Sequence, residues 1–181
     1  MGRKFLFLTL AAAFCCAFYS PVDDFKRERD GKNDAAKNAY EGKAPPAMEK
    51  MQWANWSMKG QPSWAALKGK VVVLDFWTYW CGPCKASMPH MKEMFAKYKD
   101  QGLVLIGVHS DAKTAEGIKV AQENALNYPI AYDPEQKLFK AFGCDSYPDY
   151  VVIDRQGMVR MVDLANAEVG RAVEALLKEK G

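Results

Sequence analysis

Two nearly continuous apolar runs constrain the fold of this 181-residue chain more than any other feature. KVVVLDFW occupies residues 70–77 and LVLIGVH occupies residues 103–109, and both runs are rich in β-branched side chains. Strands of this kind are buried on both faces, as in sheets that have helices on either side. A helical stripe of apolar residues lies between them, so the pair predicts a strand–helix–strand unit of an α/β protein.

The remaining segments extend this unit into a central mixed sheet flanked by helices. Three tryptophans before residue 70 predict a short irregular or hairpin segment at the edge of the core. Asp133 is placed to open one helix, and Asn166 is placed to cap the last one. Further helices are predicted over residues 114–127, 134–142 and 166–177, and a hairpin over residues 149–164. We therefore predict a single domain over residues 48–181, preceded by an N-terminal extension.

The first twenty residues, MGRKFLFLTLAAAFCCAFYS, have the layout of an export signal. A short positive stretch precedes an uncharged apolar run over residues 5–18, which is shorter than the roughly 20 residues of a membrane-spanning helix. Small residues permit cleavage after Ala17. Lipidation of Cys15 or Cys16 is one alternative, which would anchor the chain to a membrane, and a buried helix of a cytosolic protein is another. We expect export, and hence an extracytoplasmic location, periplasmic or secreted.

Residues 21–47, which follow the leader, are polar and highly charged. Acidic and basic residues occur there in equal numbers, and apolar periodicity is almost absent. Because such a segment buries little apolar surface, we predict a mobile spacer or a loosely docked segment. The whole chain has a net charge of +3 with bases interleaved among acids, which provides no basic surface for nucleic acid.

Cys81 and Cys84 follow the first strand directly, in the stretch FWTYWCGPCK. A structural zinc site needs four ligands, and the other candidates are only Cys144, His90 and His109. A folding staple is typical of small, cysteine-dense secreted domains, and this chain is not cysteine-dense. The third alternative, a redox pair, fits the sequence best.

The expected start of a helix at about Gly82 gives the two sulfur atoms different surroundings. Cys81 lies at the helix N-terminus, where free N–H groups and the helix dipole favour a thiolate. Pro83 suits the first helical turn because its missing N–H costs nothing there, and Gly82 lets another chain approach closely. We therefore expect Cys81 to be the exposed attacking thiol and Cys84, one turn deeper, to be the shielded resolving thiol.

These residues resemble the active site of the thioredoxin family. WCGPCK is its signature, and Asp75 matches the buried aspartate that takes the proton of the second cysteine. Pro89 matches the proline that kinks the active-site helix, and Pro148, in YPDYVVID, matches the cis-proline that faces the disulfide. The resemblance extends from about residue 67 to the C-terminus. It implies a thioredoxin fold with a redox-active disulfide between the two cysteines and no other cofactor or metal.

A narrower resemblance is to the extracytoplasmic TlpA-like thioredoxins. It rests on LKGKVVVLDFW, the leader and the helical stretch between residues 103 and 129, while DFWTYWC and GVHSD resemble thioredoxin domains of the DipZ C-terminal and NHL-repeat-linked kind. Tyr147 and Asp149 depart from thioredoxin, which has a β-branched residue and a threonine on either side of the cis-proline. The expected substrate-binding residues are Trp80, Gly82, Pro83, Tyr147 and Pro148.

The resemblance implies a thiol–disulfide oxidoreductase that reduces protein disulfides outside the cytoplasm. A Gly-Pro spacer goes with reducing potentials, about −270 mV in thioredoxin against about −120 mV in DsbA. The implied partners are protein thiols and disulfides, in cytochrome c maturation or in rescue of cell-envelope thiols. A membrane-embedded thiol donor would supply electrons. We expect a monomer.

Other functions use the same residues differently. Export to an oxidising compartment favours a disulfide-forming oxidase. A copper metallochaperone would combine the cysteine pair with His109, but such proteins generally replace Gly-Pro and lack the buried aspartate. A peroxide-reducing site needs a Thr/Ser-x-x-Cys arrangement together with a supporting arginine, and no arginine accompanies Thr78 and Cys81 in this stretch. Cys144 is interpreted as a core residue, with a third redox thiol as the alternative, and His109 as a structural or surface residue.

Overall fold

The computed structural model describes residues 24–48 and 51–179. The predicted leader lies outside the described residues, so its cleavage, lipidation and anchoring stay predictions. Within the described part of the chain, no helix combines the length and apolar character needed to cross a bilayer.

A six-stranded mixed sheet forms the centre of the protein, in the order β1-β4-β3-β2-β5-β6. The strands are β1 (Gln52–Ala54), β2 (Val71–Trp77), β3 (Leu103–His109), β4 (Ile130–Tyr132), β5 (Asp149–Ile153) and β6 (Val159–Val162). The helices are α1 (Asp34–Tyr40), α2 (Gly82–Tyr98), α3 (Thr114–Glu123), α4 (Lys137–Ala141) and α5 (Val169–Lys178). Strands β2, β3 and β4 are parallel, and β1, β5 and β6 are each antiparallel to their neighbours. The predicted mixed α/β architecture is confirmed.

Every residue of β2 is buried because the sheet is covered on both faces. The odd-numbered apolar residues of β2 enter one core together with side chains of α2 and α5. The even-numbered residues enter a second core together with side chains of α4. By the same alternation, Asp75 projects towards the first core, which also contains Cys81 and Cys84.

The strong sequence signals predicted the local structure well. Helix α2 begins at Gly82 and contains Pro89, and the predicted hairpin is formed by β5 and β6. The helix predicted over residues 134–142 is shorter, since α4 begins only at Lys137. Asp133 still contributes to its start, because its carboxylate accepts hydrogen bonds from the N–H groups of residues 137 and 138, at 2.8 and 2.9 Å. The prediction for Asn166 is wrong. Asn166 is the first residue of a 3₁₀ turn, Asn166–Glu168, and the residue that directly precedes α5 is Glu168.

The predicted spacer packs against the outer strand β6. The backbone of residues 42–43 exchanges two hydrogen bonds of 2.8 Å with Val159. Lys37 of α1 is fully buried, and its Nζ donates to Asp163 at 2.8 Å and to Asp145 at 2.9 Å. The segment has few apolar side chains to bury, so ion pairs and backbone hydrogen bonds hold it against the rest of the protein. The boundary at residue 48 stays a prediction.

Candidate active site

The two cysteines of the CGPC stretch form a disulfide at the N-terminus of α2. Cys81 is the residue that caps the helix, and its sulfur accepts a hydrogen bond of 3.1 Å from the backbone N–H of Cys84. Pro83 lies in the first turn, where it removes no intrahelical hydrogen bond. This position favours negative charge on the sulfur of Cys81 when the disulfide is reduced.

The sequence led us to expect an exposed Cys81 and a shielded Cys84, but the two residues are equally buried. Cys81 is 3% exposed and Cys84 is 2% exposed, so the exposed attacker is not present in the disulfide form. Because the disulfide holds both side chains against the first core, burial does not distinguish them here. The difference that remains is position, since the sulfur of Cys81 accepts the N–H at the helix end.

An exposed rim surrounds Cys81. Trp80 is 56% exposed, and its Nε1 donates to Asp111 at 3.1 Å. Gly82 and Pro83 are exposed as well. Trp77, by contrast, is 1% exposed and supports the site from the core. The rim can therefore meet another protein chain directly beside the disulfide.

Tyr147 is the best-fixed side chain of this rim. It precedes Pro148, and the peptide bond between them is cis, as the resemblance implies. The ring stacks on Phe139 at 4.6 Å and meets Trp80 edge-on at 5.7 Å between ring centroids. The hydroxyl donates to the carbonyl oxygen of Ser110 at 2.9 Å and lies 3.2 Å from the amide nitrogen of Gln136. The structure thus brings Tyr147 and Trp80 together, as predicted from the sequence.

Asp75 is buried in β2, and by strand alternation its side chain projects towards the core that contains both cysteines. Its side chain is only 3% exposed, and burial raises the pKa of the carboxyl to about 7. At neutral pH such a group exchanges protons readily, which suits a proton acceptor for a nearby thiol. No ion-pair partner of Asp75 is found among the described residues.

Cys144 and His109 occupy structural positions. Cys144 is a free, buried thiol whose pKa is raised chiefly by burial, in the second core on the other face of the sheet. His109 is fully buried, its ring lies 4.8 Å from that of Trp77, and burial lowers its pKa. In the part of the chain that the structure describes, no three His, Cys, Asp or Glu side chains are arranged to hold a metal ion.

Sequence reasoning missed the residues that hold the rim and surround Asp75. Asp111 and Ser110, which fix Trp80 and Tyr147, come directly after β3. Their place at the carboxyl end of a parallel strand next to β2 was the available signal. The surroundings of Asp75 depend on strand register, for which the sequence offers no comparable signal.

Several known proteins are similar to this chain in sequence or structure. Thiol-disulfide oxidoreductase ResA from Bacillus thuringiensis is 33% identical over 113 residues, which are 62% of this chain and 65% of ResA. Protein DipZ from Mycobacterium bovis is 30% identical over 143 residues, 76% of this chain but 20% of DipZ. A candidate thiol:disulfide interchange protein DsbE from Chlorobium tepidum superposes with a TM-score of 0.64 at 30% identity, covering 76% of this chain and 99% of that one.

The match to ResA thus spans less than two thirds of its length, and the match to DipZ spans a fifth. The fold is thioredoxin-like, as the mixed sheet and the superposition on the Chlorobium tepidum protein show. The profile of the AhpC/TSA family matches residues 41–162, which is more than half of the chain. The chain therefore belongs to the AhpC/TSA family of thioredoxin-like proteins.

Proposed function

We propose that this protein is an extracytoplasmic thiol–disulfide oxidoreductase that reduces disulfides of other proteins through Cys81 and Cys84. The observation that carries the proposal is the disulfide that caps α2 beside the exposed Trp80, with Asp75 buried in the strand that leads to Cys81 and facing the core that contains both cysteines. Both cysteines are buried, but the exposed Trp80, Gly82 and Pro83 let another protein chain approach the disulfide, and a folding staple gains nothing from that place. The printed names of ResA and the DsbE candidate describe thiol–disulfide chemistry in those proteins.

The reaction begins with the reduced protein. The thiolate of Cys81 attacks one sulfur of a substrate disulfide, so that a mixed disulfide forms and the other substrate sulfur leaves as a thiolate. The thiolate of Cys84 then attacks the sulfur of Cys81, and the second substrate thiolate departs. The substrate has gained two electrons, and Cys81 and Cys84 have become the disulfide seen in the structure.

Asp75 accepts the proton of Cys84 before the second step. A thiol must lose its proton to attack, and the ordinary thiol pKa of about 8.5 leaves little thiolate at neutral pH. A buried carboxylate with a pKa of about 7 is a matched acceptor, because it binds the proton and then passes it to the leaving thiolate. The burial of Cys84 keeps its proton away from bulk water, which makes an internal acceptor necessary.

The reducing direction is the finer part of the proposal. Gly82 and Pro83 form the spacer that accompanies low potentials in thioredoxin. Because exported compartments are oxidising, a reductase there needs electrons from outside, which we assign to a membrane-embedded thiol donor. Protein thiols of the cell envelope, including those used in cytochrome c maturation, are the proposed substrates.

Redox titration against glutathione and dithiothreitol tests the direction. We expect the potential of the Cys81–Cys84 couple to fall nearer thioredoxin than DsbA, about −270 against about −120 mV. We also expect the reduced form to be no more stable to denaturant than the oxidised form. A DsbA-like potential with a more stable reduced form would make the protein an oxidase.

Trapping tests the roles of the two cysteines. Cys84→Ala removes the resolving thiol, so we expect mixed disulfides on Cys81 to accumulate, while the matched Cys81→Ala variant should trap little. Both variants are made in a Cys144→Ala background, which removes the buried free thiol. Preferential alkylation of Cys84 in the reduced protein near neutral pH would reverse the assignment.

A further inference from the structure

Two tyrosines lie on either side of Asp75. In the antiparallel pairing of β2 with β5, Tyr150 is the direct partner of Asp75, and partners opposite each other project from the same face of a sheet. In the parallel pairing of β2 with β3, the partner of Asp75 is Gly107, which has no side chain. The ring of Tyr128 takes the space beside Gly107.

The geometry at Gly107 shows how closely Tyr128 approaches this point. A Cβ added to Gly107 would lie only 3.0 Å from Cε2 of Tyr128 and 3.1 Å from Nε1 of Trp77. Tyr128 is 1% exposed and Tyr150 is also 1% exposed. Glycine at this position therefore lets an aromatic ring pack over β3 next to the strand that carries Asp75.

Asp75 and Tyr128 each have a buried polar atom without a hydrogen-bond partner. Among the described residues, neither Oδ1 of Asp75 nor the hydroxyl of Tyr128 has a hydrogen-bond partner, although both atoms are buried. Buried donors and acceptors in folded proteins nearly always pair, directly or through one water molecule. Burial and then the charge of Asp75 raise the pKa of both phenols, so the carboxylate acts on each of them.

Tyr150 also reaches α2. Its hydroxyl lies 3.4 Å from Oγ of Ser87, and Ser87 donates to the carbonyl oxygen of Cys84 at 2.8 Å. A phenol from β5 and a phenol from the segment before β4 therefore lie beside Asp75, and Tyr150 connects this place through Ser87 to the backbone of Cys84. None of the described ion pairs reaches Asp75.

We propose, resting on the proposed function, that Tyr128 and Tyr150 are positioning residues that hold Asp75 and set how readily it accepts the proton of Cys84. The free hydroxyl of Tyr128 can donate to the ionised carboxyl group directly or through one water molecule, and Tyr150, whose hydroxyl donates to Ser87, presents its hydroxyl dipole to the same group. No ion pair of the described residues reaches Asp75, so these two phenols are the neighbours that favour its ionised form over the protonated form.

In the step concerned, Sγ–H of Cys84 gives its proton to the Asp75 carboxylate. The resulting thiolate forms the bond to the sulfur of Cys81, and the substrate thiolate leaves with the electron pair of the broken bond. It then takes up the proton from Asp75. The tyrosines exchange no proton in this scheme, since the O–H bond of each stays intact.

The experiment compares Tyr128→Phe and Tyr150→Phe with the unchanged protein. The pKa of Asp75 is measured in the oxidised full chain from the ¹³C shift of its carboxyl group, with Asp75→Asn to identify the signal. We expect each change to raise this pKa by up to about one pH unit, the size of one ordinary hydrogen bond. Tyr98→Phe is the matched control, because Tyr98 is a tyrosine of the same core whose hydroxyl donates to Glu174 instead.

A second readout follows the reaction. On rapid mixing of reduced protein with 5,5′-dithiobis(2-nitrobenzoate), release of the second thionitrobenzoate reports the attack by Cys84. We expect its pH profile to move upward by the same amount in both tyrosine variants, so that rates differ several-fold near pH 7 and converge in alkaline solution.

An unchanged Asp75 pKa in both tyrosine variants, or an equal change in Tyr98→Phe, would overturn the assignment. The carboxyl titration needs no substrate, so it is separate from the proposed function. That function would fail instead if the unchanged protein reduced no protein disulfide, whatever the pKa of Asp75.

Discussion

Replacing Asp75 by asparagine should make the oxidised protein more stable and its disulfide exchange slower. Burial raises the pKa of Asp75 from its ordinary value of 3.8 to about 7. Each pH unit between these values corresponds to about 1.4 kcal/mol, so the ionised carboxylate lowers the free energy of unfolding by about 4 kcal/mol. An amide keeps part of the cost of a buried polar group, so we expect Asp75→Asn to recover about 2 to 4 kcal/mol.

The sign of the pH dependence follows from the direction of this pKa change. Between about pH 4 and about pH 7 the folded state binds the proton of Asp75 and the unfolded state does not. The stability contributed by the protonated carboxyl is therefore complete below about pH 4 and is lost as the pH rises through about 7. The difference between the variant and the unchanged protein should grow over this interval and then stay constant.

Urea unfolding of the oxidised protein at a series of pH values measures this difference, and insulin reduction measures exchange. Asp149→Asn is the matched control, because burial raises the pKa of Asp149 to about 7 as well. Asp149 is paired with Phe76, so it faces the other core, away from Cys84. We expect the control to reproduce the gain in stability and to leave the exchange rate unchanged. A large loss of stability in Asp75→Asn with normal exchange would refute the reasoning.

Three further changes test the packing around the site. Lys37→Met should lower the free energy of unfolding by about 3 kcal/mol, because it leaves two aspartates without their buried cation; an unchanged urea midpoint would contradict this. Gly117→Ala should lower the free energy of unfolding by about 1 to 3 kcal/mol, since its Cβ would lie 2.6 Å from the ring of His109. In the control Gly170→Ala, the added Cβ meets no atom closer than 3.9 Å, so stability should be unchanged or increased. Tyr147→Phe loses both hydrogen bonds of the hydroxyl and should lower stability by about 1 kcal/mol in the same assay; a gain in stability would show that the hydroxyl is not satisfied there.

The sequence predicted those elements whose signal is local. The apolar runs gave β2 and β3 nearly to the residue, and the start of α2 at Gly82 followed from the cysteine pair and Pro83. Such runs fix their own structure because burial on both faces leaves no other arrangement. The family resemblance placed Trp80 and Tyr147 beside Cys81, and the two rings are in contact there. Their role in substrate binding stays a prediction.

The features that escaped prediction depend on partners far along the chain. Lys37 lies in a polar segment and is buried only because Asp163, 126 positions later, faces it. The place of Tyr150 opposite Asp75 depends on the register of two strands that the sequence separates widely. The exposure of Cys81 was predicted wrongly, because helix geometry alone does not show how the disulfide packs against the core.

The residues before 48 cover the outer edge of β6, which bears on whether copies of the protein associate. Strand β6 ends the sheet, and an uncovered outer strand is a template on which another chain can add a strand. Here residues 42–43 already use the N–H and C=O of Val159, and Arg27 bridges to Leu164 beyond the end of the strand. The opposite edge is β1, which is only three residues long. The N-terminal segment thus covers this edge of the sheet, and we expect a chain shortened to begin at residue 44 to self-associate through β6, as size-exclusion chromatography would show.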